Sequence, residues 1–215
     1  MKSVLVVGLG RFGYNVCVKL HELGHEVMAI DESEEKVNSV LPLVTDAQIG
    51  DATDLDLLKS LGVKNFDACI VAMGNDFQSS LEITSQLKEL GAKLVVARAS
   101  GELHEKLLKK IGADEVVYPE KQLADWTAIR YTSDHVTGYI EIDGDYSIFE
   151  VAIPHEWLGK TVGELDVRKK YNINVLGIKE HCKMDPVIGP ETVLSEGQTL
   201  MVLGKFKDLK KCFKI

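Results

Sequence analysis

The chain has 215 residues, 45% hydrophobic and 27% charged, enough for one large or two small cores in an ordinary globular protein. A formal net charge of −8 gives no basic surface to attract nucleic acid or anionic lipid, so no nucleic-acid partner is expected. No apolar run reaches transmembrane length and the first residues lack a signal-peptide pattern, so a cytoplasmic location without direct membrane insertion is expected.

The chain opens with the apolar run Ser3-Val4-Leu5-Val6-Val7, which ends in Gly8-Leu9-Gly10-Arg11-Phe12-Gly13. A helical pattern runs to Leu23, and Gly24 turns into Val27-Met28-Ala29-Ile30-Asp31. This order reads as strand, glycine loop, helix and strand, with an acid at the second strand's tip. Gly8 permits the tight turn, Gly10 lets backbone approach a phosphate, and Gly13 lets the helix pack on the strand. The helix start offers N–H groups and a positive dipole end to phosphate oxygens. Asp31, 18 residues after Gly13, is placed to accept from a ribose diol. The bland alternative is a tight strand-to-helix turn that holds no ligand.

A helix is expected after Asp31, capped by Ser33 or Asp31. The short strand Ala47-Gln48-Ile49 precedes Gly50-Asp51-Ala52-Thr53, and a helix over 54–61 is closed by Gly62. Residues 66–72 form a strand ending at Gly74-Asn75-Asp76, and residues 77–90 form a long helix closed by Gly91. Leu94 to Ala97 is a strand with Arg98 at its tip, residues 103–111 a helix closed by Gly112, and Glu115 to Tyr118 a sixth strand followed by Pro119-Glu120. Continuous apolar strands alternating with helices predict a doubly wound parallel sheet of the Rossmann type, in the α/β class, with ligand across the strands' carboxyl ends. Asp31, Asp51, Ala72 with Gly74, Arg98 and Glu120 all fall at those ends.

Residues 122–132 read as a helix leaving the sheet. The texture then changes to short alternating strands at 138–142 and 147–153 around an Asp143-Gly144-Asp145 turn. A helical turn follows from Val162 toward Tyr171, then strands at 174–179 and 199–203 and an amphipathic helix at 205–213. The expected organisation is a nucleotide-binding domain over 1–133 and a small α+β domain over 134–215. No internal repeat is evident. Cys17, Cys69, Cys182 and Cys212 lack CxxC spacing and are read as reduced, mostly buried thiols. The 6 histidines lack ligand spacing and are read as structural or surface groups.

Four stretches carry a family resemblance: Gly8 to Gly13, Gly50-Asp51-Ala52-Thr53, Lys110-Ile111-Gly112-Ala113-Asp114 and Tyr118-Pro119-Glu120 resemble the RCK (KTN) domain. In the second half, Ser147 to Val151, Leu165-Asp166-Val167-Arg168 and Lys170 to Asn174 resemble the RCK C-terminal domain. Over nearly the whole chain the order is similar to KtrA-like and TrkA-like regulatory subunits. The resemblance implies a homo-oligomer, commonly an octameric ring, beneath a membrane-embedded potassium transporter subunit. It places the protein peripheral to the inner face of the cell membrane, where ligand binding changes ring shape and gates the pore.

The resemblance also implies site roles. Arg11 would reach the terminal phosphate of ATP and so separate ATP from ADP; a plain surface arginine is the alternative. Phe12 belongs to the same loop. Arg98 stands where relatives usually carry lysine, and either cation can meet phosphate with different geometry. Glu120 would meet Mg²⁺ or Ca²⁺ near the phosphates, or would simply favour a helix N-terminus. Asp51, Ala52 and Thr53 would border the adenine, and Met73 with Gly74 the base or ribose wall. Lys36 fits either a ribose or phosphate contact or a solvated surface. Asp76 is not placed in the site. Arg168 and Asn174 occupy positions similar to those that contact cyclic di-AMP in relatives, or form an ordinary dimer interface.

The expected ligand is ATP or ADP, with NAD or NADH as the alternative; Asp31 disfavours NADP, whose 2′-phosphate it would repel. An NAD-dependent oxidoreductase would need a general acid or base near the nicotinamide. No Tyr-x-x-x-Lys pair in a helical setting, no His with an acidic orienter and no GxxxxGK[ST] loop is found. A regulator rather than an enzyme is therefore expected. Asp31→Ala is expected to abolish nucleotide binding and leave the fold intact.

Overall fold

The computed structural model describes the whole chain except Asn75, Ser133, Asp134, Asp143, Gly144, Cys182, Lys214 and Ile215. Cys182, part of the 143–145 turn and the boundary near residue 134 therefore lie outside the described residues. The chain divides into two units, Met1–Glu120 and Lys121–Ile215, earlier than the boundary drawn from sequence.

The first unit alternates strands and helices: β1 (Ser3–Val7), α1 (Arg11–Glu22), β2 (Glu26–Asp31), α2 (Glu34–Val40), β3 (Asp46–Ile49), α3 (Leu55–Ser60), β4 (Ala68–Val71), α4 (Phe77–Glu89), β5 (Val95–Arg98), α5 (Glu102–Lys110) and β6 (Glu115–Val117). The strands form one parallel sheet in the order β3-β2-β1-β4-β5-β6. Both faces are covered, as the continuous apolar strands require. Along β1, Val4 and Val6 join the core that includes Cys17, Val27, Val37 and Val40 from the α1 and α2 side. Leu5 and Val7 join the opposite core with Leu58, Ile83, Leu87 and Leu108 from α3, α4 and α5. The period of two in a strand sends neighbours to opposite faces.

Helix α6 (Pro119–Thr132) starts three positions before the residue expected from sequence. Proline at the first helical position lacks only an N–H that would have no intrahelical partner, and its φ suits the helix. Glu120 consequently lies in the first turn of α6.

The second unit is built on β7 (Val136–Glu141), β8 (Tyr146–Ala152), α7 (Val162–Leu165), α8 (Val167–Tyr171), β9 (Asn174–Glu180), β10 (Lys183–Asp185), β11 (Thr199–Lys205) and α9 (Phe206–Phe213). Its sheet is antiparallel in the order β10-β9-β11-β8-β7. Phe149, Val151, Ile173, Ile178, Leu200, Val202, Leu209 and Phe213 form its core. Strand β10 had no sequence signal, because all three of its residues are exposed and none alternates. Among the described residues, no helix is long and apolar enough to cross a membrane. Cys17 and Cys69 are buried and Cys212 half-buried, all free; burial pushes their thiols up to about 11, about 12 and about 12.

Candidate functional site

The parallel sheet brings the carboxyl ends of β1, β2, β4 and β5 to one edge, and the residues between β1 and α1 form the floor there. Gly8 has φ +92°, a conformation that L side chains rarely adopt, and an added Cβ would lie 2.7 Å from Met73 Cγ. A Cβ on Gly13 would lie 1.9 Å from the Gly8 carbonyl oxygen, so the helix can approach the strand only with glycine there. Around Gly10 nothing of the protein lies within 4 Å of an added Cβ. The first and third glycines are therefore needed by the fold, while the middle one faces open space.

Gly10 is the N-cap of α1, with extended backbone and no side-chain cap, and the first turn contains no acid. Helices α2, α3 and α4 instead use Ser33, Asp54 and Asp76 as side-chain caps. The opening N–H groups of α1 have no intrahelical acceptor, and the positive end of the helix dipole lies at this edge.

Asp31 stands at the tip of β2 with its side chain only 10% exposed. Leu9 N–H donates to its Oδ2 at 2.7 Å, and Ser33 N–H donates to its Oδ1 at 2.9 Å. Lys36 Nζ adds contacts of 3.2 and 3.3 Å. Burial pushes the carboxyl up, but the Leu9 and Ser33 N–H groups and the Lys36 charge outweigh it and hold it below the usual aspartate range. Asp31 is thus an ionised acceptor and also a brace that ties the glycine loop to β2. Of the two caps considered for α2, the structure uses Ser33, with Asp31 holding the Ser33 amide. Lys36, itself exposed, rests its ammonium on Asp31.

On the other side, Arg98 at the end of β5 reaches across the tip of β4. A Cβ on Gly74 would lie 2.4 Å from Arg98 Nη1, so the guanidinium rests directly on the glycine backbone. Its Cζ lies 5.7 Å from the centre of the Phe12 ring, in the first turn of α1. Nη2 donates to Glu120 Oε1 in an ion pair, while Nε is buried and has no hydrogen-bond partner among the described residues. The Glu120 carboxyl lies below the usual glutamate range; its own backbone N–H is the largest cause, followed by opposing desolvation, then the Arg98 bond and charge and the Arg11 charge. Arg11 is exposed, and its side chain has no hydrogen-bond or ion-pair partner among the described residues. Arg11, Phe12, Gly74, Arg98 and Glu120 therefore converge beside the start of α1. The pairing of Arg98 with Glu120 could not be read from sequence, since 21 residues separate them along the chain.

The adenine-side residues are less concentrated. Gly50 N–H donates to the Asp31 carbonyl at 3.1 Å, which brings the β3 end beside β2. Asp51 Oδ1 accepts from the Thr53 N–H at 2.8 Å and the Thr53 hydroxyl at 2.7 Å, so this one oxygen serves both Thr53 donors. Ala52 is buried in the sheet core, leaving only backbone to offer a ligand. Met73 packs half-buried against the same core. Asp76 is occupied with Ser79 as the α4 cap.

A resident divalent cation held by this chain alone does not fit the donors present. Glu120 is engaged by a guanidinium, and among the described residues no group of three His, Cys, Asp or Glu converges. In the second unit, Arg168 on α8 and Asn174 at the start of β9 are both exposed, and no side-chain hydrogen bond joins them among the described residues. The buried His104 keeps its ring nitrogen Nδ1 against Ser100 and packs at a tilt against the Phe77 ring, as a structural histidine would.

Residues 4–119 match the TrkA-N domain family and residues 147–215 the TrkA-C domain family. The chain is 40% identical over 212 residues to Ktr system potassium uptake protein C of Bacillus subtilis (strain 168), spanning 98% of this chain and 95% of that relative. It is 39% identical over 210 residues to Ktr system potassium uptake protein A of the same organism, again 98% and 95%. In fold it is similar to the GsuK channel bound to NAD, with a TM-score of 0.68 and 21% identity over 97% of this chain and 38% of that one.

Proposed function

This chain belongs to the family that joins a TrkA-N domain to a TrkA-C domain, and from that premise we propose that it is a nucleotide-sensing regulatory subunit of a potassium uptake system. Relatives of nearly its full length are potassium uptake proteins, which supports the transport setting. The observation that carries the nucleotide reading is the uncapped start of α1 lying between an ionised Asp31 and the Arg98 guanidinium. An adenosine diphosphate moiety matches this layout: ribose hydroxyls donate to Asp31, and phosphate oxygens accept from the α1 N–H groups.

ATP or ADP is the ligand proposed, because the exposed Arg11 adds a cation beside the phosphate end. NAD or NADH is the second reading, favoured by the NAD described in the GsuK channel of this fold. The chain's own residues orient the ligand and balance its charge; no bond-making step is assigned to them, and the protein is read as a regulator rather than an enzyme. Signalling follows as a population shift. A nucleotide moves the subunit between two shapes only by its difference in affinity for them. We place the subunit in a homo-oligomer on the cytoplasmic side of a membrane-embedded transporter, with Arg168 and Asn174 as candidate contacts for cyclic di-AMP.

The test is equilibrium binding of ATP, ADP, NAD, NADH and cyclic di-AMP to the purified full chain, followed by potassium flux through its transporter with each bound ligand. Micromolar adenine-nucleotide binding that alters flux is the expected result. Absence of binding by every adenine nucleotide would return the glycine loop to a purely structural turn.

A further inference from the structure

Arg98 is held as a guanidinium waiting for a better acceptor. It leans over Gly74, where no side chain opposes it, and lies above Phe12 at the mouth of the α1 start. Only 19% of its side chain is exposed, yet its buried Nε has no partner among the described residues. A guanidinium carries five N–H donors in a fixed fork, and Glu120 offers it a single oxygen. Glu120 itself is 57% exposed and can return to water easily. A phosphate group brings more charge and can accept from the fork through two oxygens.

We propose that Glu120 is a built-in competitor for the nucleotide's phosphates: it occupies Arg98 in the ligand-free chain and is displaced from it by a phosphate oxygen on binding. The proposal rests on the nucleotide reading above and deepens it. No covalent bond changes; one ion pair is exchanged for another. Glu120 also sits near the Arg11 charge, so in the empty site it screens two cations that would otherwise meet without an anion. Because Glu120 lies in the first turn of α6, the exchange releases that turn from the end of β5. Nucleotide occupancy is thereby converted into freedom of the first turn of α6.

Removing the competitor should tighten phosphate binding. An exposed pair of this kind holds its partners about twofold to fivefold. The experiment is calorimetric titration of the full chain with ADP and with adenosine, in a metal-chelating buffer. The proteins are the unaltered chain, Glu120→Gln, Arg98→Ala, and the two substitutions together. ADP should bind about twofold to fivefold tighter to Glu120→Gln, adenosine should be unaffected, and the gain should vanish when Arg98 is absent. Arg98→Lys replaces Arg98→Ala if the latter fails to fold, and it should shrink the gain. Unchanged or weaker ADP binding to Glu120→Gln overturns the proposal, as does a gain that survives in Arg98→Ala. If the unaltered chain binds no nucleotide at all, the functional reading itself falls, which is a different result from either of these.

Discussion

Asp31→Asn separates the two jobs that the structure gives one side chain. The carboxylate accepts from Leu9 N–H and Ser33 N–H through different oxygens, at 2.7 and 2.9 Å. An asparagine keeps one acceptor and turns a second donor toward one of those amides. A donor left facing a donor at a side chain this buried costs about 2 kcal/mol, or roughly 4–8 °C in Tm for a chain of this size. Loss of the charged acceptor for the ribose hydroxyls costs about another 2 kcal/mol in binding, roughly 30-fold in Kd. The assays are thermal unfolding without ligand and calorimetric ADP binding well below the new Tm. A fall in Tm with unchanged ADP affinity would refute the ribose role and leave Asp31 as a brace alone. No change in either would refute the reasoning altogether. The structure thus adds a stability cost to the expectation that removing this carboxylate abolishes nucleotide binding and leaves the fold intact. The pH dependence has a definite sign. The Asp31 carboxyl is held below the usual range in the folded state, so its contribution is complete above the unfolded aspartate value near pH 3.9 and is lost as pH falls through the lower folded value. Asp31→Asn removes that part of the acid dependence.

Gly10→Ala and Gly13→Ala should behave oppositely. The first meets nothing within 4 Å, so stability should hold within about 0.5 kcal/mol while ADP affinity drops at least about tenfold, as calorimetry would report. The second places a Cβ 1.9 Å from the Gly8 oxygen and should prevent soluble, cooperatively folding protein, read by thermal unfolding. Arg11→Ala should erase the difference between ATP and ADP affinities more than it weakens ADP itself; equal losses for both in titrations would remove Arg11 from phosphate sensing. In the second unit, Glu150 accepts from Lys179 at 2.9 and 3.1 Å and from the Thr199 hydroxyl at 2.9 Å. Burial pushes the Glu150 carboxyl up, but Lys179 and the hydroxyls hold it below the usual range. Its stabilisation should therefore be lost below about pH 4.3, and acid unfolding of Glu150→Gln should show a flatter limb there.

The glycine spacing, the apolar strands and the acid 18 residues downstream were enough to read the parallel sheet and which residues stand at its carboxyl edge, because each is a local rule about backbone conformation or periodicity. The place of Asp31 at the tip of β2 was legible for the same reason, as was Ser33 as a candidate cap. Ala52 was placed near the adenine by its motif, yet its side chain points into the core. The ion pair of Lys36 with Asp31 was not legible, because the reading weighed only a ligand contact against solvent. The start of α6 was set three residues late, because the apolar pattern does not mark a proline that serves as the first helical residue.

The sequence by itself determined the two-part organisation, the sheet and the residues that stand at its carboxyl edge, since these follow from period, turn chemistry and short-range spacing. Only the tertiary structure decided what those residues do to one another. It set Leu9 against Asp31, stretched Arg98 across Gly74 to Phe12, and delivered Glu120 to its guanidinium. The physical reason is that ion pairs and shared acceptors form between strand ends far apart in the chain. Their partners are chosen by strand order and by the room a glycine leaves, neither of which is written in any single stretch of residues.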